Sequence, residues 1–308
     1  MKKILFANKY SFRPDQFEKF EALDGLETLY LDGPDAQHYD QDFSDVNGII
    51  TFGFFNHNDI KEWKSLEYIH TTSTGIDQMP VDYLKEKGII LKNCPGVHST
   101  PIAEFVVGEI LQMYKKFFKL KKQQEQHIWQ ADWDLMELEG KRVCIISTGS
   151  IASHIAKRLH AFDAYIVGLD VAPRNDQGYY DEVLTLDHMD EELPKADIVI
   201  NAVPLFPNTY HLFNQHCFDL MKDDAIFINI TRGGVVDIDA LQKTLEDGKL
   251  MGALVDVLEQ EPLPADSPLW DIERLYITPH NSFAGEGNND RVFNIIYNDT
   301  KEWLESAK

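Results

Sequence analysis

Apolar runs of strand length alternate with amphipathic helical stretches along almost the whole chain, and this alternation most restricts the fold. Such an order is typical of parallel sheets whose strands are joined by crossover helices, so it predicts the α/β class. The first third carries the runs "KILFAN", "LETLYL", "GIITF", "LEYIHTT" and "GIILKN". The second set reads "KRVCIIS", "AYIVGLD", "ADIVINAV", "AIFINI", "KLMGALVDVL" and "RLYITPH". The sequence therefore predicts two parallel sheets, one in each of two domains.

The two sets of runs are separated by a long segment from about Ser99 to Gln126. After Pro101, which lies near its first helical position, its only breaker is Gly108. We expect one continuous helix of about 40 Å that reaches from one domain to the other. The closing stretch "NNDRVFNIIYNDTKEWLESAK" has helical periodicity and is expected to return to the first domain. The predicted domains are 1–98 with 286–308, and 99–285, the second being a doubly wound nucleotide-binding domain.

Composition restricts the partners and the compartment. The formal net charge of −22 disfavours nucleic acid and anionic membranes as main partners. No apolar run approaches the roughly 18 residues that a membrane span needs. The three cysteines lie far apart, so free thiols in a reducing cytoplasm explain them better than disulfides or a metal site. A cytoplasmic protein whose ligand is a small molecule fits these limits.

The stretch "CIISTGSIASHIAKRL", residues 144 to 159, resembles a dinucleotide-binding turn that has lost a glycine. In the G-x-G-x-x-G pattern the three glycines make the tight turn, let the backbone approach the pyrophosphate and allow close packing of the helix on the strand. Here the three positions are Ser147, Gly149 and Ala152. A serine at the first position costs about 1 kcal/mol or more if its φ is positive. We therefore predict weaker but real cofactor binding, the alternative being a strand-to-helix turn without a ligand.

An acidic residue at the end of the next strand indicates which cofactor binds. Asp170 can accept hydrogen bonds from the hydroxyl groups of an adenosine ribose and repel a 2′-phosphate. That favours NAD. Arg174, four residues further on, leaves NADP as the second choice.

Three residues that could carry chemistry follow the carboxyl ends of predicted strands. Arg232 lies in "TRGG", Glu261 in "EQEP" and His280 in "TPH". A guanidinium can grip a carboxylate through two hydrogen bonds, and a glutamate beside a histidine favours the charged, proton-donating imidazolium. Taken singly, each has a structural explanation as an ion-pair partner, a cap or a loop residue. Jointly they lie at the edge where ligands bind in open α/β sheets, which favours a shared function. A hydride transfer to a 2-oxo acid would need such a set: a cation for the carboxylate, a proton donor and a group that sets the pKa of the donor.

At this point the chain resembles the D-isomer-specific 2-hydroxyacid dehydrogenases over nearly its whole length. "NITRGGVVDIDAL" resembles the family's arginine motif, "ALVDVLEQEPLPADSPLW" its glutamate motif and "LYITPH" its histidine motif. "VPLFPNTYHLF" is similar to the segment that flanks the nicotinamide ribose, and "NCPGVHSTPIAEF" to the hinge that opens the long helix. In its length, and in "QQEQHIWQ" before the second domain, the chain is similar to the short glyoxylate and hydroxypyruvate reductases.

The resemblance implies a Rossmann-like nucleotide domain and a flavodoxin-like substrate domain, and a homodimer formed through the nucleotide domain. It implies Arg232, Glu261 and His280 as the catalytic set, and it implies that "TTSTGID" binds the substrate carboxylate through backbone amides at Ser73, Thr74 and Gly75. With the turn motif it gives the expected cofactor-binding residues: Ser147, Thr148, Gly149, Ser150, Ile151, Asp170, Val203, Pro204, Thr231 and Asp256.

The predicted activity is the NADH-dependent reduction of a small 2-oxo acid to the D-2-hydroxy acid, with His280 as proton donor. Tyr10, Phe54 and Phe55 follow predicted strands of the first domain and either line the substrate pocket or pack in the core. The alternative from another class is a catalytically weak nucleotide-sensing protein of the corepressor type. A phosphite or formate dehydrogenase on the same scaffold is less favoured, because the additional site residues of those enzymes are not found.

Overall fold

A computed structural model describes residues 1–7, 12–31, 42–76 and 79–306. The chain divides into two compact units. Unit 1 consists of Met1–His98 and Gly285–Lys308, and unit 2 of Ser99–Ala284. The chain thus leaves unit 1 after residue 98 and re-enters it at residue 285, one residue before the predicted boundary.

Unit 1 is built on a five-stranded parallel sheet with the order β2-β1-β3-β4-β5. Its strands are β1 Lys2–Ala7, β2 Leu26–Leu31, β3 Gly48–Thr51, β4 Tyr68–Thr71 and β5 Ile90–Lys92. Its helices are α1 Pro14–Glu21, α2 Val81–Lys87 and α9 Asn288–Ser306. This strand order is that of the flavodoxin-like doubly wound fold.

The core of unit 1 lies on both faces of the sheet. One apolar cluster includes Phe20, Phe293 and Trp303, and a second includes Trp63 and Leu84. The four residues of β3 and those of β4 are all buried, because a parallel strand with helices on both faces meets no water. The C-terminal helix α9 supplies part of this core, as its periodicity predicted.

Unit 2 is built on a seven-stranded parallel sheet with the order β12-β11-β10-β9-β6-β7-β8. The strands are β6 Arg142–Ile146, β7 Tyr165–Asp170, β8 Glu182–Thr185, β9 Ile198–Asn201, β10 Ile226–Asn229, β11 Gly252–Val255 and β12 Leu275–Ile277. The helices are α3 Ser99–Tyr114, α4 Phe117–Glu125, α5 Ser150–His160, α6 Met189–Glu192, α7 Gln215–Leu220 and α8 Ile238–Glu246. The strand order reverses between β6 and β9, so the predicted doubly wound fold with a Rossmann-type switch point is confirmed.

One strand of unit 2 was not predicted. β8 pairs only with β7, at the edge of the sheet, and its residues are half-buried or exposed. Because an edge strand needs no continuous apolar run, the segment "EVLT" gave no strand pattern.

The predicted single helix from Ser99 to Gln126 is wrong, because the structure ends α3 at Tyr114 and starts α4 at Phe117. Lys116 between them has a φ of +52°, a left-handed conformation that interrupts a helix. Its ammonium group lies 3.2 Å from the carboxylate of Asp132, which also accepts a hydrogen bond from Lys119 at 2.6 Å. A contact with a later segment of the chain therefore supports the break.

All three cysteines, Cys94, Cys144 and Cys217, are free thiols, as predicted, and all three are buried. Within the described ranges, no group of three or more histidine, cysteine, aspartate or glutamate side chains is arranged to hold a metal ion. In the same part of the chain no helix combines the length and the apolar character needed to cross a membrane.

Candidate active site

Five of the predicted site residues of unit 2 follow the carboxyl ends of four strands. Ser147 follows β6, Thr231 and Arg232 follow β10, Asp256 follows β11 and His280 follows β12. All strands of this sheet are parallel, so these ends meet at one edge. The structure thus brings the residues predicted from separate motifs to the same edge of one sheet.

The turn after β6 contains a serine in a conformation that glycine normally supplies. Ser147 has a φ of +114°, and it is buried. Its backbone N–H donates to the carbonyl of Leu169 at 2.6 Å, and its Oγ accepts from the N–H of Gly149 at 3.0 Å. These hydrogen bonds offset the cost of about 1–2 kcal/mol that a left-handed residue with a side chain carries. The turn therefore keeps its shape without its first glycine.

Asp170 at the end of β7 lies against this turn. Its Oδ2 accepts from the N–H of Thr148 at 2.7 Å and from the hydroxyls of Ser147 and Thr148, each at 3.3 Å. Its Oδ1 accepts from the N–H of Ala172 at 3.1 Å. Burial alone would raise the pKa of Asp170, but the hydrogen bonds outweigh burial and lower the pKa. The acid is held as a carboxylate facing the turn.

Helix α5 opens directly from the turn, with Gly149 as its N-cap. Among the described residues, no backbone carbonyl accepts from the N–H groups of Ser150 and Ile151. Ala152 is almost fully buried, which is the close packing that the third glycine position requires. Unpaired N–H groups at a helix N-terminus attract phosphate, because they add to the positive end of the helix dipole.

The ends of β9 and β10 are joined by a buried network that the motifs did not reveal. The amide nitrogen of Asn201 donates to Asn229 Oδ1 at 2.9 Å and to Thr231 Oγ1 at 3.1 Å. Its Oδ1 accepts from the N–H of Val203 at 3.2 Å, just before the exposed Pro204. The sequence did contain a signal for this network, because both strands end in Ile-Asn. Each asparagine puts a polar side chain at the point where a buried strand reaches the sheet edge.

Arg232 is exposed at the edge, and its Nη1 donates to the carbonyl oxygen of Thr231 at 2.8 Å. The following residue, Gly233, packs closely against the loop that leads to Glu261. A Cβ at Gly233 would lie 2.0 Å from the carbonyl carbon of Leu258, so only glycine fits. This contact fixes the spacing between the arginine turn and the glutamate loop.

His280 and Glu261 form a hydrogen-bonded pair. Nδ1 of His280 lies 2.7 Å from Oε2 of Glu261, and the two side chains are 40% and 38% exposed. The other oxygen of Glu261 accepts from the N–H of Leu258 at 2.9 Å, which fixes the carboxylate. With Nδ1 engaged by the carboxylate, Nε2 is the ring atom left to exchange a proton with a ligand.

The buried side chain of Asp256 stabilises the turn that contains His280. The side chain is 1% exposed. Its Oδ1 accepts from the hydroxyl of Thr278 at 2.6 Å and from the N–H of Asn281 at 3.1 Å, and its Oδ2 from the N–H of Ser282 at 3.1 Å. Its backbone carbonyl accepts from the N–H of His280 at 2.8 Å. Every described contact of this carboxylate thus supports the strained turn at His280, whose φ is +49°.

The predicted carboxylate-binding segment of unit 1 follows β4. Side chains shape it: Ser73 Oγ donates to the carbonyl of Gly75 at 2.7 Å, and Thr74 Oγ1 to that of Cys94 at 3.0 Å. Within the described part of the chain, no backbone acceptor uses the N–H groups of Ser73, Thr74 and Gly75. Successive free N–H groups in a turn form an anion-binding concavity.

The aromatic residues predicted near this segment differ in their placement. Phe54 is 2% exposed and packs against Trp63 in the core, and Phe55 is half-buried. Tyr10 lies outside the described residues. Phe52, not predicted, is 60% exposed directly after β3, whose neighbour in the sheet is β4.

The sheet order of unit 2 is that of a doubly wound α/β domain, the class of fold that binds nucleotides at this edge. The family model described as D-isomer specific 2-hydroxyacid dehydrogenase, NAD binding domain, matches residues 107–282. The chain belongs to the D-isomer specific 2-hydroxyacid dehydrogenase family.

Individual relatives agree with this assignment. The chain is 36% identical to a glyoxylate reductase of Thermofilum pendens over 71% of its own length and 66% of that protein's, just under two thirds. It is 30% identical to a D-lactate dehydrogenase of Staphylococcus aureus over 82% of this chain and 80% of that one. A solved structure of a D-isomer specific 2-hydroxyacid dehydrogenase family protein from Aeromonas salmonicida superposes with a TM-score of 0.85 at 28% identity, covering 99% of this chain and 96% of the other.

Proposed function

We propose that the protein reduces a small 2-oxo acid to the D-2-hydroxy acid with hydride from NADH. The observation that carries this proposal is the 2.7 Å pair of His280 and Glu261 on the same sheet edge as Arg232. A carbonyl reduction needs a proton donor and a cation for the substrate carboxylate, and this edge offers both. The relatedness to reductases and dehydrogenases of 2-hydroxy acids supports the same chemistry.

In the proposed reaction His280 donates the proton from Nε2 to the carbonyl oxygen, while Glu261 keeps the ring oriented through Nδ1. Arg232 binds the substrate carboxylate with two hydrogen bonds and stabilises the negative charge that develops on the carbonyl oxygen. In unit 1, the backbone N–H groups of Ser73–Gly75 offer a separate set of donors for a carboxylate. Asp256 keeps the His280 turn in place.

The residues around the turn after β6 fit a dinucleotide. The N–H groups of Ser150 and Ile151 would hold the pyrophosphate, and Asp170 would accept from the ribose hydroxyls. Val203, Pro204 and Thr231, at the ends of β9 and β10, would flank the nicotinamide ribose. When bound, the reduced nicotinamide supplies the hydride.

We propose NAD rather than NADP as the preferred cofactor. The carboxylate of Asp170 repels a 2′-phosphate. Arg174 is exposed and follows Asp170 closely, so NADPH is expected to bind as the weaker alternative.

We also propose a homodimer formed through unit 2. Trp129 is 103% exposed and Trp133 89% exposed, and large apolar side chains exposed close together mark interaction surfaces. Asp132 between them is tied to Lys116 and Lys119, so the segment is held in place rather than collapsed on its own unit. A double Trp129→Ala, Trp133→Ala variant is expected to be monomeric by light scattering, while Trp270→Ala, which removes another exposed tryptophan, stays dimeric. A wild-type protein that is monomeric at all concentrations contradicts the dimer.

The activity is tested by following NADH consumption against 2-oxo acids from glyoxylate to phenylpyruvate, with NADPH in parallel. We expect turnover with NADH, and the ranking of the acids shows which size of substrate side chain the protein prefers. Binding of NADH without turnover of any acid contradicts the proposed activity and favours the nucleotide-sensing alternative.

A further inference from the structure

The side chain of Ser147 makes contacts within the turn in which it takes the place of a glycine. A residue with a side chain at a φ of +114° is strained, so its retention in a folded protein requires compensating contacts. The hydroxyl supplies two of them: it accepts from the N–H of Gly149 at 3.0 Å and lies 3.3 Å from Oδ2 of Asp170. A glycine at this position would make neither contact.

The hydrogen bonds of Asp170 fall into two kinds. An ionised carboxylate has about four acceptor positions. Two are taken by the backbone N–H groups of Thr148 and Ala172, which cannot move without opening the turn. The hydroxyls of Ser147 and Thr148 lie 3.3 Å from Oδ2, the oxygen that also accepts from the Thr148 N–H. Oδ1, whose described donor is the Ala172 N–H, therefore keeps an acceptor position for a ribose hydroxyl. The carboxylate is thus held in one orientation and can still accept a ribose.

Thr148 is itself immobilised, which makes this orientation rigid. A Cβ on Gly168 would lie 2.8 Å from the methyl group of Thr148 and 2.8 Å from the ring of Tyr180, so these two side chains pack directly on the strand. The hydroxyl of Thr148 also accepts from the N–H of Arg174 at 3.0 Å. The turn, the acid and the segment up to Arg174 therefore form one connected piece.

We propose that the Ser147 hydroxyl is a positioning group that pins the Asp170 carboxylate against the turn, and that this pinning sets the preference for NADH over NADPH. The inference rests on the proposed function. A carboxylate that is free to rotate can turn away from a 2′-phosphate, whereas a pinned one cannot and repels it fully. Ser147 acts through Asp170 and need not contact the cofactor.

The test is direct binding of NADH and of NADPH, measured by fluorescence titration and expressed as the ratio of the two dissociation constants. We expect Ser147→Ala and Ser147→Gly to lower the preference for NADH by about threefold or more, the effect of losing a hydrogen bond to a charged group. Ser153→Ala is the matched control, because its hydroxyl donates to the carbonyl of Thr148 at 3.3 Å and makes no described contact with Asp170. It is expected to leave the ratio unchanged.

Two variants at one position separate the hydroxyl from the backbone strain. Glycine relieves the strain and alanine keeps it, yet both remove the hydroxyl. A ratio that is unchanged in both variants overturns the proposal, and so does a fall in Ser147→Ala alone, since that would be an effect of strain. If Ser147→Ala does not fold by circular dichroism, Ser147→Gly with its relaxed backbone still decides the question.

Binding rather than turnover keeps this inference distinct from the proposed function. A wild-type protein that binds neither dinucleotide contradicts the proposed function itself. One that binds both equally contradicts the proposed preference for NAD as well as the role given to Ser147. One that prefers NADH and keeps this preference in both Ser147 variants contradicts only the role given to Ser147.

Discussion

Two turns at the same sheet edge hold a residue other than glycine at positive φ, and they compensate the strain in different ways. After β6, Ser147 is buried and its own hydroxyl bonds to the turn. After β12, His280 has a side chain that is 40% exposed, and the buried carboxylate of Asp256 holds its turn from below. In the first turn the side chain of Ser147 stabilises its own backbone. In the second turn another residue does this, so the side chain of His280 is available for chemistry.

Because of this difference, we expect substitutions in the two turns to affect stability and activity differently. Where a side chain supports its own backbone, replacing it should change the turn and what binds there. Where another residue gives that support, the supported side chain can be replaced with little loss of stability. Replacing the supporting residue should then lower both stability and activity.

The largest effect is expected for His280→Ala. The proton donor is lost, so kcat should fall by about 10² to 10⁴. The melting temperature and the dissociation constant of NADH should stay close to wild type, because Asp256 still holds the turn. His211→Ala is the matched control, since His211 is paired with Glu259 at 2.9 Å and is expected to keep its activity. Near-wild-type reduction by the His280 variant would remove the role assigned to it.

Asp256→Ala is expected to lower activity and stability together. The variant leaves the N–H groups of Asn281 and Ser282 without an acceptor, which should reduce the free energy of unfolding by about 3 kcal/mol. Activity should fall about tenfold or more because His280 is no longer held. Asp237→Ala, which removes the N-cap of α8, is the control and should cost about 1 kcal/mol without loss of activity. Full activity in a destabilised Asp256 variant would refute the positioning role.

Glu261→Gln should reduce kcat about tenfold or more, because the amide cannot replace the charged hydrogen bond to Nδ1 of His280. Glu259→Gln provides a matched comparison in the same loop, since Glu259 pairs with His211 rather than His280. Its kcat is expected to change by less than about twofold. Equal losses of kcat in the two variants would show that the loop, rather than the hydrogen bond between Glu261 and His280, determines the activity.

The smallest effect concerns the pH dependence of stability at the first turn. Burial alone would raise the pKa of Asp170. The hydrogen bonds from Thr148, Ala172 and Ser147 outweigh burial and lower this pKa below its ordinary value of 3.8. A lowered carboxyl pKa contributes stability that is fully present above the unfolded pKa and is lost as pH falls through the folded value. Urea unfolding of wild type and Asp170→Asn should therefore differ most near neutral pH and converge below about pH 4. A difference that grows on acidification would contradict the hydrogen-bonded carboxylate.

The repeated pattern of strands and helices was enough to predict both sheets, because strands buried on two faces need long apolar runs. It missed β8 because Glu182 and Thr185 occupy a half-buried edge, where no such run is required. It also missed the helix break at Lys116, because the residue is neither glycine nor proline and the support comes from Asp132, a later residue.

Candidate site residues could be predicted where one local motif contains them, and less so where residues act through one another. Local sequence context predicted Ser147, Asp170, Arg232, Glu261 and His280, all of which lie in unit 2. The support that Asp256 gives to the His280 turn depends on a contact across 24 residues, which no local pattern contains. The Asn201–Asn229 network likewise joins two strands that are distant in the chain.

The most direct test of the proposed reaction uses NADH carrying deuterium at the transferable position of the nicotinamide, with the preferred 2-oxo acid. The product should be the D-2-hydroxy acid with deuterium on C2, and His280→Ala should form it far more slowly. A product without deuterium at C2, or one formed as fast by the His280 variant as by wild type, would contradict hydride transfer assisted by this histidine.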